Sequence, residues 1–154
     1  MAYVNPQLKA VIGAQELGIK VGPKASTAYI TTAPQTLFTV TGGKVLVKLL
    51  MATVTTLHAS ATQNIKTQTA PTVGTAVALS TDVDTNALEI GGTLFVDGAG
   101  SATVKANGGV VLSSTFTPFI VSTGTITFTP SATQDGATAW EIYYMPIDDG
   151  AAIA

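Results

Sequence analysis

At 154 residues and 15.6 kDa the chain has room for one domain with a hydrophobic core, and too little for two ordinary ones. Charged residues make up only 10% against the ~25% of typical globular proteins, the formal net charge is −2, and neither arginine nor cysteine occurs. That excludes a disulfide scaffold, a thiolate metal centre and a cysteine nucleophile, and the lysines offer no basic field to draw in phosphates, so no nucleic-acid partner is expected.

Residues 1–35 stand apart from the rest. They hold Lys9, Lys20 and Lys24 together with Pro6, Pro23 and Pro34. Asn5-Pro6 suits the start of a short helix, with Asn as the cap and Pro at the first helical position. Leu8, Val11 and Ile12 then share one face. Gly13 costs such a helix about 1 kcal/mol against Ala, and Gly18 ends it. A helix this short is not stable alone. The segment reads as an arm, folded back on its own domain or reaching to a neighbour.

From Ala25 onward the period is that of strands. Thr36 to Thr41 is a β-rich run closed by Gly42-Gly43. Lys44 to Leu57 is the longest run. Strict alternation puts Val45, Val47, Leu49 and Met51 on one face and Leu46, Leu50 and Val54 on the other with Lys44 and Lys48. Both faces are partly apolar, which predicts a central, largely buried strand, and its β-branched content argues against a helix. Ala61 to Thr69 is polar and suits an edge. Gly74 to Ser80 is a short strand, Asp82 to Ala87 a turn or single helical turn, and Ala87 to Asp97 two short pieces split by Gly91-Gly92. Asp97-Gly98 and Asn107-Gly108 are hairpin signals. Val110 to Ser113, Pro118 to Val121 and Thr125 to Thr129 follow, the last with Ile126 and Phe128 inward and its threonines outward. The final strand, Thr138 to Met145, sets Trp140, Ile142 and Tyr144 on one face, and Pro146 with the Asp148-Asp149-Gly150 tail ends it.

About eight to ten short strands with Gly-rich turns predict an all-β fold, an antiparallel β-sandwich or jelly-roll-like domain. The organisation expected is an extended N-terminal arm over 1–35 and a sandwich domain over 36–154. No basic start followed by an apolar core marks a secretory leader. The longest apolar stretch, Val45 to Val54 around Lys48, is far short of the ~20 residues of a spanning helix, and no membrane association is expected.

Residues with chemistry are few. His58 is the only histidine, and Ser60 shares its strand face, but no nucleophile elbow accompanies them. Asp82, Asp84 and Asn86 open like a calcium loop. Ala87 and Thr93 stand where that loop needs Gly and Glu, so an acidic turn bonded to its own backbone is the simpler reading. Asp148-Asp149 reads as a solvated terminus. Gly91-Gly92 and the Gly98/Gly100 pair lack the lysine and helix of a phosphate cradle. Trp140, Tyr143 and Tyr144 could stack a sugar, as in a carbohydrate-binding module, yet alternation splits them. Lys44 and Lys48 form a stripe that is a solvated side or a contact with another subunit. No catalytic residue, cofactor or metal is assigned, and an enzyme is not expected.

Three stretches carry a resemblance: TLFTVTGGKVLVKLLMATVTT, then APTVGTAVALSTDVDTNALEIGGTL, then GTITFTPSATQDGATAWEIYYMPIDDGA. Together they resemble small virion structural proteins of tailed bacteriophages, from about Ala25 to the C-terminus. By size and β-rich character that group is similar to capsid decoration, or cement, proteins. The resemblance implies a protein bound to the outside of the head, made in the host cytoplasm, with the major capsid protein and copies of itself as partners in a dimer or trimer. A tail or fibre component is the alternative within the same particle. Candidate interface residues are Tyr3, Leu8, Val11, Ile12, Leu17 and Ile19 of the arm, with Lys44 and Lys48.

Overall fold

The computed structural model describes residues 17–24, 27–29, 31–58, 63–96, 104–106, 117–133 and 135–154, with backbone alone at 27 and 104–106. Its strands are β1 (Ile19–Val21), β2 (Thr27–Ala28), β3 (Gln35–Thr41), β4 (Val45–Thr56), β5 (Asn64–Pro71), β6 (Val77–Ala78), β7 (Val83–Asp84), β8 (Thr93–Val96), β9 (Val104–Ala106), β10 (Phe119–Val121), β11 (Gly124–Pro130), β12 (Ala137–Pro146) and β13 (Ala152–Ile153). They build two antiparallel sheets. The first runs β1-β12-β4-β8-β9, with β10 beside β4 and β2 beside β12. The second runs β13-β3-β11-β5-β6, with β7 beside β5. The fold is an all-β sandwich.

The core lies between the sheets. Trp140 and Ile142 from β12 and Val47 and Leu50 from β4 meet Phe38 from β3 and Ile126 and Phe128 from β11 in one buried cluster. Phe128 and Trp140 touch across the sheets with ring centroids 6.1 Å apart, and Tyr29 joins Phe128 at 5.3 Å. Such tilted aromatic pairs add about 0.5–1.5 kcal/mol beyond the area they bury.

The long central strand is where alternation predicts it, but its faces are not. Val45 and Val47 point inward, and so do Leu50, Ala52 and Val54. The phase changes because Tyr144 pairs with Val47 and Tyr143 with Leu49, leaving Lys48 as an extra residue. This β-bulge turns Leu49 and Met51 to the outer, half-buried side. A second shift skips Thr55, whose hydroxyl donates to the Ala137 carbonyl at 3.2 Å.

Several threonines are inside rather than out. Thr67 bonds Ser80 through both its N–H (2.9 Å) and its hydroxyl (3.0 Å), and Thr85 donates to the Gln63 carbonyl at 3.1 Å. Each buried hydroxyl with a partner avoids the desolvation cost of about 1–3 kcal/mol. On β11, Ile126 and Phe128 do point inward, and Thr127 on the outer side is still only 6% exposed between β3 and β5.

Other segments differ from their sequence reading. The polar strand at 64–71 is flanked on both sides, by β11 and by the short β6 and β7. Val83–Asp84 forms a bridge to β5 before the turn at Asn86. Of the two pieces expected between 87 and 97 only β8 is a strand; Leu88 is buried in a turn. β8 pairs with β9 with Phe95 opposite Val104, a register centred beyond the two-residue turn expected at Asp97-Gly98. That turn, Asn107-Gly108 and the strand expected at 110–113 lie outside the described residues.

Much of the expected arm is sandwich. Ile19–Val21 pairs with Tyr144, Tyr143 and Ile142, Thr27–Ala28 pairs with the start of β12, and Tyr29 is fully buried. Gly18 makes the entry feasible: its φ is +88°, and a Cβ there would stand 2.3 Å from the Tyr144 carbonyl oxygen. No helix among the described residues is long and apolar enough to cross a membrane.

Candidate interaction surface

The residues with chemistry stand apart from one another. His58 is 1% exposed, its ring edge-on to Tyr29 at 4.6 Å, and neither ring nitrogen has a hydrogen-bond partner. Burial pushes its pKa below the ordinary 6.5, since nothing compensates the charged form. Ser60 lies outside the described residues. A buried imidazole with neither nitrogen bonded packs as an apolar ring.

Asp84 Oδ1 accepts the Asn86 N–H at 2.9 Å, the self-bonded acidic turn that the sequence favours. Among the described residues no three His, Asp or Glu side chains group as a metal site. Asp148 and Asp149 are exposed, as a solvated segment would be, but the segment is tied down and is not a free tail. Asp148 Oδ2 accepts the Lys44 N–H at 2.8 Å, and the chain beyond it forms β13 against β3. Trp140 and Tyr144 face the core and Tyr143 faces out, where Lys20 Nζ sits 5.5 Å from its ring and pairs with Glu141. The Glu141 carboxylate raises the Lys20 pKa. With Trp140 and Tyr144 buried, Trp140, Tyr143 and Tyr144 form no exposed row for a sugar to stack on.

What the fold does assemble is an apolar end. Met145, Leu46 and Ile120 are register neighbours on β12, β4 and β10, all turned to the outer face of the first sheet. Ile120 is 62% exposed and Met145 37%. Leu17, 54% exposed, precedes Gly18, whose Cβ position is 3.3 Å from Met145 Cγ. Around the corner, Val77 is 60% exposed across a cleft from Ile120. That cleft, 280 Å³ in volume, opens between β6 and β10 and is lined by Pro71, Val77, Leu79, Phe119 and Ile120, among others. Ser122 joins it to a second hollow bounded by Lys44, Val73 and Asp148, and Ile147 donates its N–H to the Lys44 carbonyl beside it.

Leu17, Val73, Val77, Ile120, Met145 and Ile147 together expose on the order of 600 Å², divided between the outer face of the first sheet, the cleft and the hollow beside it. Leaving that area in water forgoes about 25 cal/mol per Å², which favours a protein that covers it.

Of the expected interface residues, Leu17, Ile19, Lys44 and Lys48 all lie at this end. Ile19 shares a register row with Tyr144, Val47 and Phe119, Lys44 is exposed just before β4, and Lys48 is half-buried in the bulge. Tyr3, Leu8, Val11 and Ile12 lie outside the described residues. Ile120, Met145, Val73, Val77 and Ile147 are not among the sequence candidates. One signal was available: Met145 is apolar yet out of phase with Trp140, Ile142 and Tyr144. No protein-family model, curated protein or solved structure matches the chain.

Proposed function

We propose that the chain is a virion structural protein of a tailed bacteriophage, a decoration protein that binds the outside of the head and stabilises it through contacts between subunits. The observation that carries this reading is the apolar end on a chain with so few charges. A surface of that kind belongs against other protein. The stretches that resemble phage virion proteins supply the setting, and the β-sandwich is a rigid platform for such contacts. A protein that binds only the assembled shell stabilises it in proportion to the logarithm of its concentration over Kd, and many copies on a symmetric lattice turn modest contacts into avidity.

The test is cosedimentation of the purified chain with heads that lack it, followed by heating. Saturable binding and a higher temperature of head disruption support the reading. Binding to isolated tails but not to heads replaces it with the tail-component reading.

A further inference from the structure

We infer that residues 27–29 form an acid-opened latch: protonation of His58 releases Tyr29 and β2 from the sandwich while both sheets stay folded. His58 follows the end of β4. Its backbone N–H donates to the Leu88 carbonyl at 3.1 Å. Its ring meets Tyr29 edge-on at 4.6 Å, and Gly136 approaches it so closely that a Cβ there would lie 2.6 Å from His58 Cδ2. The ring is buried and neither nitrogen has a hydrogen-bond partner. Asp84 and Glu89 flank the turn that carries Leu88, and Asp135 precedes Gly136; all three are exposed. Burial holds the Tyr29 phenol neutral by pushing its pKa up. Burial is also what lowers the His58 pKa. A proton on the ring therefore gains no compensating charge in the closed state, and the charged form favours any state that lets water reach it.

The segments around the ring differ in how firmly they are held. Gly136 leads directly into β12, which pairs with β4 from Ala137 to Pro146. Leu88 is buried in a turn whose Thr85 donates both its N–H and its hydroxyl to the Gln63 carbonyl. In contrast, β2 has two residues and pairs with Ala137 and Thr138 alone. The Tyr29 N–H donates to the Gly136 carbonyl at 3.1 Å. Two long side-chain bonds complete the attachment: the Tyr29 and Thr138 hydroxyls are 3.3 Å apart, and the Gln35 amide donates to the Ala28 carbonyl at 3.3 Å. Local opening draws on elements with few bonds. Lifting Tyr29 uncovers the imidazole and leaves the β4–β12 pairing whole. The open state binds the proton at the ordinary histidine pKa of about 6.5, and the closed state resists it. The opening constant is therefore level above that pH and rises up to about tenfold per pH unit below it.

Backbone amide exchange of the full chain, followed by NMR, tests the latch. Protection factors are compared, so that the chemical pH dependence of exchange divides out. The reporter is the Tyr29 N–H, and the reference is the Val54 N–H on β4, which donates to the Gly92 carbonyl at 2.8 Å. Between about pH 7 and pH 5 the Tyr29 protection is expected to fall by up to about 30-fold. At each pH it stays about tenfold or more below that of Val54, and low urea, which promotes only openings that expose much surface, leaves it unchanged. His58→Phe keeps a ring against Tyr29 and holds the Tyr29 protection level across the same range; His58→Met takes its place if that variant does not fold. Equal protection of Tyr29 and Val54 would mean that the segment opens only with the whole fold, and it overturns the inference. So does a Tyr29 protection that ignores pH, or a fall that persists without the imidazole.

Discussion

Gly136 stands where any larger residue would collide with His58: a Cβ there would be 2.6 Å from His58 Cδ2. Its φ is not in the left-handed region, so the constraint is steric. Gly136→Ala is therefore expected to cost about 1–3 kcal/mol through overpacking. Truncating the ring relieves it, so the double variant Gly136→Ala/His58→Ala loses less than its two single changes combined. Urea midpoints of the four proteins check this, and strict additivity would show that the two residues do not press on each other.

The same histidine sets an acid dependence. His58 is buried without a partner for either nitrogen, and its folded pKa lies below 6.5. Below pH 6.5 the unfolded chain binds a proton that the folded chain resists, so stability is full above that pH and falls beneath it. The slope is at most about 1.4 kcal/mol per pH unit. His58→Phe keeps an aromatic ring against Tyr29 and removes the proton site. Unfolding midpoints between pH 7.5 and 5.5 should fall for the native chain and stay level for the variant; parallel curves would contradict the assignment.

Trp140 is fully buried between the sheets. Its fluorescence is expected to be blue-shifted and resistant to iodide, and Trp140→Ala to cost about 3–5 kcal/mol. Red-shifted, quenchable emission would return this residue to the surface and reopen the sugar-stacking reading.

The C-terminus holds the second sheet. Ile153 is buried, and Ala154 exchanges two backbone bonds with Thr39, at 2.8 and 2.9 Å. Removing residues 152–154 is expected to lower stability by about 2–5 kcal/mol, from the lost burial and the lost bonds. A truncated chain as stable as the whole one would mean that the tail is solvated after all.

The fold class was legible because its signals are local. Trp140, Ile142 and Tyr144 alternate cleanly, and β4 reads as central because both of its faces carry apolar residues. The inserted residue at Lys48 was not legible: strict alternation continues to fit the letters, and only the partner strand reveals the slip. Residues 17–29 looked like an arm because their partner, β12, lies more than 100 residues away in sequence. The apolar end was hidden for a related reason. Leu17, Val77, Ile120 and Met145 are far apart in sequence, and each alone is an exposed apolar side chain of the kind most surfaces carry. Topology alone brings them together.

The proposed function requires this apolar end to lie against protein in a phage particle. Cryo-electron microscopy of the intact phage tests that most directly. The expected reconstruction shows the sandwich on the outer surface of the head, with Leu17, Ile120 and Met145 buried against protein. Density confined to the tail, or a head-bound sandwich with those three side chains facing solvent, would contradict it.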